Sequence, residues 1–170
     1  MADYLHNHKD FSALLQILAD EMGIQAALIE KDYLIMHVLY GLKTLGLDYE
    51  LKGGTSLSKG FQIIDRFSED IDIHIKPPAK FGINENPKNT NPKNVEARRN
   101  FYDWLAETIK MDGIISVERD HLFDRKSTAP DGGDADCFMI HIPTALENQI
   151  RATVVNRRHL NNRFRIKDNH

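Results

Sequence analysis

Hydrophobic and polar positions along the chain predict a helical N-terminal region followed by alternating helices and strands. Apolar residues that recur every three or four positions line one face of an α-helix, so such spacing predicts helices. Four segments are predicted to be helical: residues 11–22, 25–45, 55–64 and 95–110. In the third of these segments, Leu57, Phe61 and Ile64 form the apolar face.

Strands are predicted where polar and apolar residues alternate. Residues 70–75 alternate strictly, which places three isoleucines on the core face and both Asp70 and Asp72 on the other face. The two aspartates would lie about 7 Å apart along the strand. Further strands are predicted at residues 49–52, 114–118, 122–127 and 137–142, with a turn at 130–133 and a mobile loop over the proline- and asparagine-rich residues 77–92.

Two adjacent glycines, Gly53 and Gly54, follow the strand predicted at residues 49–52. Glycine adopts backbone angles closed to other residues and lets main-chain N–H groups approach a ligand closely. Thr55 or Ser56 can cap the helix that follows. A strand, a glycine turn and a helix start together present N–H donors to an anion, and a triphosphate fits that description. The alternative is an ordinary strand-to-helix connection.

Asp70 and Asp72 form a pair of carboxylates on one strand face. Two carboxylates at this spacing can hold hard cations such as Mg²⁺, which prefer oxygen ligands and leave positions for phosphate oxygens. The alternative is a solvated polar face of an edge strand. His74 lies on the same predicted face, where it is either a further ligand or an ordinary polar residue at a strand end.

Three ordered blocks resemble the AbiEii/AbiGii-type nucleotidyltransferases, toxin components of abortive-infection and type IV toxin–antitoxin systems within the DNA polymerase β-like superfamily. Residues 52–61 resemble the GGTSL block of that family, residues 66–73 its R-x-S-x-D-x-D block, and residues 29–33 an EKDY segment on a preceding helix. The resemblance implies an α+β fold with a nucleotidyltransferase-like mixed β-sheet flanked by helices. It also implies a nucleoside triphosphate donor, Mg²⁺ (or Mn²⁺), an acceptor that is tRNA in some relatives, and a partner antitoxin.

The resemblance assigns roles only to positions that match its blocks. Those that would cradle the phosphates are Gly53, Gly54, Thr55 and Ser56, and those that would bind metal are Asp70 and Asp72. Lys59 lies one turn after Ser56, so its ammonium is either directed toward the phosphates as a catalytic group or solvated. Arg66 and Ser68 would contact nucleotide or fix the loop structurally. Lys31 matches the EKDY segment, but residues 30–32 would also suit a solvated helix face opposite Leu28, Ile35 and Met36.

The superfamily implies a third acidic residue on a later strand. The strand predicted from Cys137 makes Asp136, or Asp134 just before it, the candidate metal ligand. The chain is otherwise divided into an N-terminal helical segment (1–46), a nucleotidyltransferase-like core (47–150) and a basic tail (151–170) within one compact domain. Relatives continue into a helical C-terminal region that this chain is expected to lack, and the tail is predicted to be solvated, with phosphate contact as the alternative.

Composition limits the classes of protein to which the chain can belong. Its 170 residues, 41% of them apolar, are enough for one domain with a hydrophobic core. A formal net charge of −3 does not indicate a nucleic-acid-binding protein. The single cysteine excludes an intramolecular disulfide and zinc-site spacing is lacking, while no membrane segment is predicted, so a cytoplasmic location is expected.

Three hypotheses about function follow from the sequence. The first is a metal-dependent nucleotidyltransferase that releases pyrophosphate. The second is a shortened relative that binds nucleotide without transferring it. The third is a protein-interaction subunit that uses its apolar N-terminal helices.

Overall fold

The computed structural model describes residues 3–63, 71–84, 86, 89, 91–114, 116–119, 137–141 and 150–154, and for Asp72 and the strand residues 119, 137–141 and 150–154 it describes the backbone alone. The elements in chain order are a 3₁₀ turn at Leu5–Asn7, α1 (Phe11–Met22), α2 (Ala26–Thr44), β1 (Tyr49–Lys52), a helical turn at Gly53–Thr55 that continues as a π-helical turn at Ser56–Gly60, β2 (Ile71–Ile75), a 3₁₀ turn at Ala79–Phe81, α3 (Pro92–Thr108), β3 (Ser116–Arg119), β4 (Cys137–His141) and β5 (Ile150–Val154). Residues 53–60 are called the glycine turn below.

The five strands of the described residues form one mixed sheet in the order β1-β2-β5-β4-β3. Strands β2 and β5 run parallel, whereas the β1–β2, β5–β4 and β4–β3 pairs are antiparallel. Helices α2 and α3 contribute their apolar residues to the same core as β2. The predicted α+β fold, with a mixed sheet flanked by helices, is therefore confirmed.

The core lies on the isoleucine face of β2. Ile71, Ile73 and Ile75 are almost fully buried, and they belong to one cluster with Phe101 and Leu105 of α3. This result matches the alternation in the sequence, since every second residue of a strand lies on the same face. Asp72 occupies a position on the opposite face.

Helix α2 is buried over more of its surface than the sequence pattern predicts. Glu30 is 1% and Lys31 is 6% exposed, so the expected solvated face of residues 30–32 is wrong for both. Lys31 precedes the fully buried Ile35 by one turn and therefore shares the stripe that faces the core. Met36, expected on the apolar face, is instead 46% exposed.

A cluster of aromatic and histidine side chains joins the N-terminal segment to α2. The His6 Nδ1 atom lies 2.9 Å from the Tyr33 hydroxyl, and the His6 and His37 ring centroids are 4.6 Å apart. The Nε2 atom of His37 lies 2.7 Å from the Asp112 carbonyl oxygen. Burial, followed by the charge of His37, lowers the pKa of His6 below its ordinary value. We call this group the histidine cluster.

Several predicted element boundaries shift in the structure. The helix predicted at residues 55–64 instead begins at Gly53 and ends at Gly60, and Gln62 has a φ of 53°, which a helix does not allow. Helix α3 begins at Pro92 because the Asn91 side chain caps it, accepting a hydrogen bond from the Lys93 N–H at 3.0 Å. The strand at 122–127 and the turn at 130–133 lie outside the described residues.

Strand β5 changes the interpretation of the C-terminal region. Residues 151–154 were expected in the basic tail, but they form β5 together with Ile150 and pair with both β2 and β4. Residues 150–154 alternate apolar and polar side chains, a strand signal that the basic composition of the tail outweighed in the prediction. The strands with which β5 pairs are distant in sequence, so the pairing itself had no local signal. The division into segments 1–46, 47–150 and 151–170 otherwise stays a prediction. Among the described helices, none alone is long and apolar enough to span a membrane.

Candidate functional site

The glycine turn departs from the end of β1 through a backbone conformation that favours glycine. Lys52 is extended, and Gly53 has a φ of 59°, in the left-handed region that residues with a Cβ atom rarely adopt. The hydroxyl of Ser56 donates a hydrogen bond to the Gly53 carbonyl at 2.8 Å, and that of Ser58 donates one to the Gly54 carbonyl at 3.1 Å. These bonds connect the two serine side chains to the backbone at the start of the turn, and we call this hydrogen-bonded conformation the closed form.

Thr55 and Ser56 do not cap the helix, contrary to the sequence prediction. The helical turn begins at Gly53, so both residues lie inside it, and Lys52 occupies the cap position without a side-chain cap bond. The difference arises because Gly53 itself adopts the conformation that starts the turn. Gly53 and Gly54 begin the turn at the end of β1, and the next residue, Thr55, is buried.

Pairing of β1 with β2 brings the glycine turn to the strand of the paired aspartates. The two strands are antiparallel, and Lys52 lies directly opposite Asp72 in the register. The last residue of β1 is therefore the neighbour of a residue near the start of β2, and Gly53 follows immediately. The glycine turn therefore begins beside Asp72, at the end of the sheet where β1 stops and β2 starts. Asp70, Arg66 and Ser68 lie outside the described residues.

The position beside Asp72 on the other side belongs to β5. Thr153 pairs with Asp72 in the parallel β2–β5 ladder, and Cys137 of β4 pairs with Thr153. The five residues of β5 include no acidic residue. Cys137 lies two strand spacings, about 10 Å, from Asp72. Asp136, the residue before Cys137, and Asp134 lie outside the described residues, so the third acidic ligand stays a prediction.

The charged side chains of β1 form an ion pair with each other, and Glu50 also lies 4.0 Å from the Lys76 ammonium, just after β2. The Lys52 ammonium lies 2.7 Å from Glu50, and this hydrogen bond, more than any other contact, lowers the pKa of the Glu50 carboxyl. His74 lies opposite Glu50 in the register, and its charge contributes weakly to the same shift. A metal-binding role for His74 stays a prediction.

Lys59 contacts an acidic residue of α2. Its ammonium lies 2.5 Å from Oδ2 of Asp32, and the two side chains are 26% and 17% exposed. The ammonium is therefore held by a carboxylate, and this contact differs from both predicted alternatives, a phosphate contact and a solvated side chain. The other oxygen of Asp32, Oδ1, is buried and has no hydrogen-bond partner among the described residues.

Sequence reasoning missed Asp32 as a residue of this site. Its signal is present, since Asp32 lies in the EKDY segment, but the same residues 30–32 also suit a solvated helix face. The partner of Asp32 is 27 residues distant in the chain. Sequence spacing alone predicts contacts between neighbours on one helix, not contacts between two elements.

The expected metal site lies mostly outside the part of the chain that the structure describes. Within this part of the chain, no group of three or more histidine, cysteine, aspartate or glutamate residues is arranged to hold a metal ion. The expected ligands Asp70 and Asp136 lie outside that part, and of Asp72 only the backbone is described. Carboxylates at the start of β2 have the ligand chemistry that Mg²⁺ or Mn²⁺ requires.

Comparison with known proteins relates most of the chain to a protein family. A family model described as nucleotidyl transferase AbiEii toxin, type IV TA system, matches residues 37–158, which is more than half of the chain. The matched segment includes β1, the glycine turn, β2 and β5. No curated protein and no solved structure matches the chain.

Proposed function

Because the chain belongs to the AbiEii family of nucleotidyl transferase toxins of type IV toxin–antitoxin systems, we propose that it transfers a nucleotide from a nucleoside triphosphate to an acceptor with the help of Mg²⁺ or Mn²⁺. The observation that carries the proposal is the register of Lys52 opposite Asp72. It brings the end of the β1 strand, where the glycine turn begins, to the start of β2. A phosphate-binding turn and a metal-binding strand must be adjacent for one triphosphate to contact both.

The glycine turn is assigned to the phosphates. Gly53 and Gly54 leave room for a phosphate oxygen to approach the backbone, and the N–H groups of Gly53, Gly54, Thr55 and Ser56 are the proposed donors. The closed form of the turn, held by the Ser56 and Ser58 hydroxyls, keeps this backbone in one conformation before nucleotide binds. A preorganised site loses less conformational freedom on binding.

The start of β2 is assigned to the metal. Asp70 and Asp72 are the proposed ligands, with Asp136 as the candidate third ligand. A bound Mg²⁺ or Mn²⁺ ion would neutralise charge on the triphosphate and on the pyrophosphate that leaves. The protein would position the α-phosphorus between the metal at the start of β2 and the acceptor. Arg66 and Ser68 are proposed nucleotide contacts.

The proposed acceptor is RNA, with tRNA as the acceptor to test. The proposed protein partner is an antitoxin, which the toxin–antitoxin family implies. Binding of nucleotide without transfer is the competing function, and the acid-free β5 strand beside Asp72 favours it. The two functions differ in whether pyrophosphate is released.

The first experiment measures unfolding of the purified chain with each ribonucleoside triphosphate, with and without Mg²⁺. At a ligand concentration of one hundred times Kd, binding should stabilise the fold by about 2.7 kcal/mol. Asp72→Asn should abolish the Mg²⁺-dependent part of this shift. Asp48→Asn is the matched control, because Asp48 is an exposed aspartate next to β1 whose partner is Lys76.

The second experiment incubates the chain with Mg²⁺, tRNA and α-phosphate-labelled triphosphates. Transfer predicts labelled tRNA and an equal amount of pyrophosphate, both lost in Asp72→Asn. A thermal shift without labelled product would support the nucleotide-binding function instead. If no triphosphate shifts the unfolding temperature, nucleotide transfer by this chain is contradicted.

A further inference from the structure

The Lys59–Asp32 ion pair links two parts of the molecule that differ in how firmly they are held. Asp32 belongs to α2, whose residues Ile35 and Val38 are fully buried in the core. Lys59 belongs to the π-helical turn Ser56–Gly60, which contains no buried residue. The carboxylate therefore has a rigid support, whereas the ammonium lies on a segment with little apolar packing of its own.

Burial gives this ion pair more influence than a surface pair has. The side chains of Asp32 and Lys59 are 17% and 26% exposed, compared with 67% and 47% for the Asp48–Lys76 pair. Exposed pairs contribute little because water and salt screen them, whereas removal of one partner from a largely buried pair leaves an uncompensated charge. The position of the turn should thus depend on Asp32.

The residues after Lys59 make this dependence stronger. Phe61 and Ile63 are mostly exposed, so they do not anchor the turn at its C-terminal side. Gln62 adopts a φ of 53°, a conformation that residues other than glycine adopt with a cost. At its other end the turn is attached to β1 through Gly53. An ion pair in the middle of this segment is well placed to fix its orientation.

We propose that Asp32 is a positioning residue that holds the glycine turn, through the Lys59 ammonium, in its phosphate-binding orientation against β2. This inference rests on the proposed function for the part that concerns phosphate. Asp32 lies outside residues 37–158, the segment that matches the family model. Its role is assigned by the contact with Lys59. Lys59 then acts as a structural cation and does not contact the phosphates.

Asp32→Asn tests the proposal because it keeps the side-chain shape and removes the charge. Nucleotide affinity, measured by calorimetry on the folded chain, should fall about tenfold, which is the lower end of the loss seen when a residue that orients a metal ligand is changed. Asp32→Glu should recover part of this loss. Asp48→Asn should leave the affinity unchanged. An unchanged Kd in Asp32→Asn, with only a lower Tm, would overturn the proposal.

Charge reversal separates positioning by Lys59 from direct phosphate contact. The double variant Asp32→Lys with Lys59→Asp restores an ion pair of opposite polarity. Positioning predicts that the double variant binds nucleotide more tightly than Lys59→Asp alone. A direct contact predicts no recovery, because the carboxylate at position 59 would repel the phosphates, and this result would contradict the proposal.

Hydrogen exchange tests the structural part without any nucleotide. In the unliganded chain, Asp32→Asn should speed exchange of the amides in residues 53–60 while exchange in α3 stays the same. If Asp32→Asn does not fold, Lys59→Gln removes the same ion pair by changing its more exposed partner, and it should produce the same change in exchange. Equal exchange in variant and wild type would refute the inference, whereas a wild type that binds no nucleotide would refute the proposed function alone.

Discussion

Helix α2 and the glycine turn differ in what holds them in place. Along α2, apolar residues such as Leu34, Ile35 and Leu42 are buried against the sheet and α3. Along the π-helical part of the glycine turn no residue is buried, and side-chain hydrogen bonds and one ion pair provide the contacts. Hydrophobic burial therefore holds α2 in place, whereas polar contacts hold the π-helical part of the glycine turn.

The largest expected effect comes from truncating a buried side chain of α2. Ile35→Ala removes a fully buried side chain and should lower the free energy of unfolding by about 3 kcal/mol through lost burial and the cavity left behind. Leu57→Ala in the glycine turn should change it by less than about 0.5 kcal/mol, since Leu57 is partly exposed. Urea unfolding of the two variants measures both values. Equal losses would contradict the comparison.

A smaller effect is expected from the backbone of the glycine turn. Gly53→Ala places a Cβ atom at a φ of 59° and should cost about 1 kcal/mol of stability. Gly23→Ala is the matched control, because Gly23 has a φ of 67° at the end of α1, with no atom within 4 Å of the added Cβ. Both variants should lose similar stability, but only Gly53→Ala should weaken binding of triphosphate. Equal affinities would show that the turn does not bind phosphate.

The histidine cluster, which joins the N-terminal segment to α2, should make the stability of the fold depend on pH. Since burial lowers the pKa of His6, the folded chain prefers the neutral imidazole, whereas the unfolded chain takes up a proton near the ordinary value of 6.5. The contribution of His6 to stability is therefore fully present above pH 6.5 and decreases as the pH falls from there toward the lowered pKa.

Unfolding temperatures measured between pH 7.5 and 5 test this expectation. His6→Gln should reduce the loss of stability on acidification. His8→Gln is the control, because His8 lies two residues away and is largely exposed. The expectation fails if both variants follow the wild-type pH profile. Triphosphate affinity should not differ between the two variants at pH 7.5, since the partners of His6 lie in α2 and at Asp112, and that of His8 is Asp10.

Local patterns predicted much of the fold correctly. The periodicity of residues 11–22 and 25–45 predicted α1 and α2, and strict alternation predicted β2 with its buried isoleucines. The strand before Gly53 was also predicted with its observed bounds. In each case one element has its own period and its own boundary residues, so neighbouring positions contain the required information.

Local sequence patterns did not predict contacts between distant segments. Residues 150–154 alternate apolar and polar side chains, as a strand does, but nothing in this segment indicates that it pairs with β2 and β4 near the middle of the sheet. The contact of Lys59 with Asp32 and the burial of Lys31 likewise depend on how α2 packs against other elements. Burial depends on the final arrangement of all elements, and a charged residue on a helix can lie on either face.

Residues close together in the chain are enough to specify the helices, the main strands and the order of the glycine and aspartate blocks. Packing of distant segments places Lys52 opposite Asp72, Thr153 beside Asp72 and the Asp32 carboxylate against Lys59. Strand register and buried ion pairs are set by the packing of the whole core, which couples residues far apart in sequence.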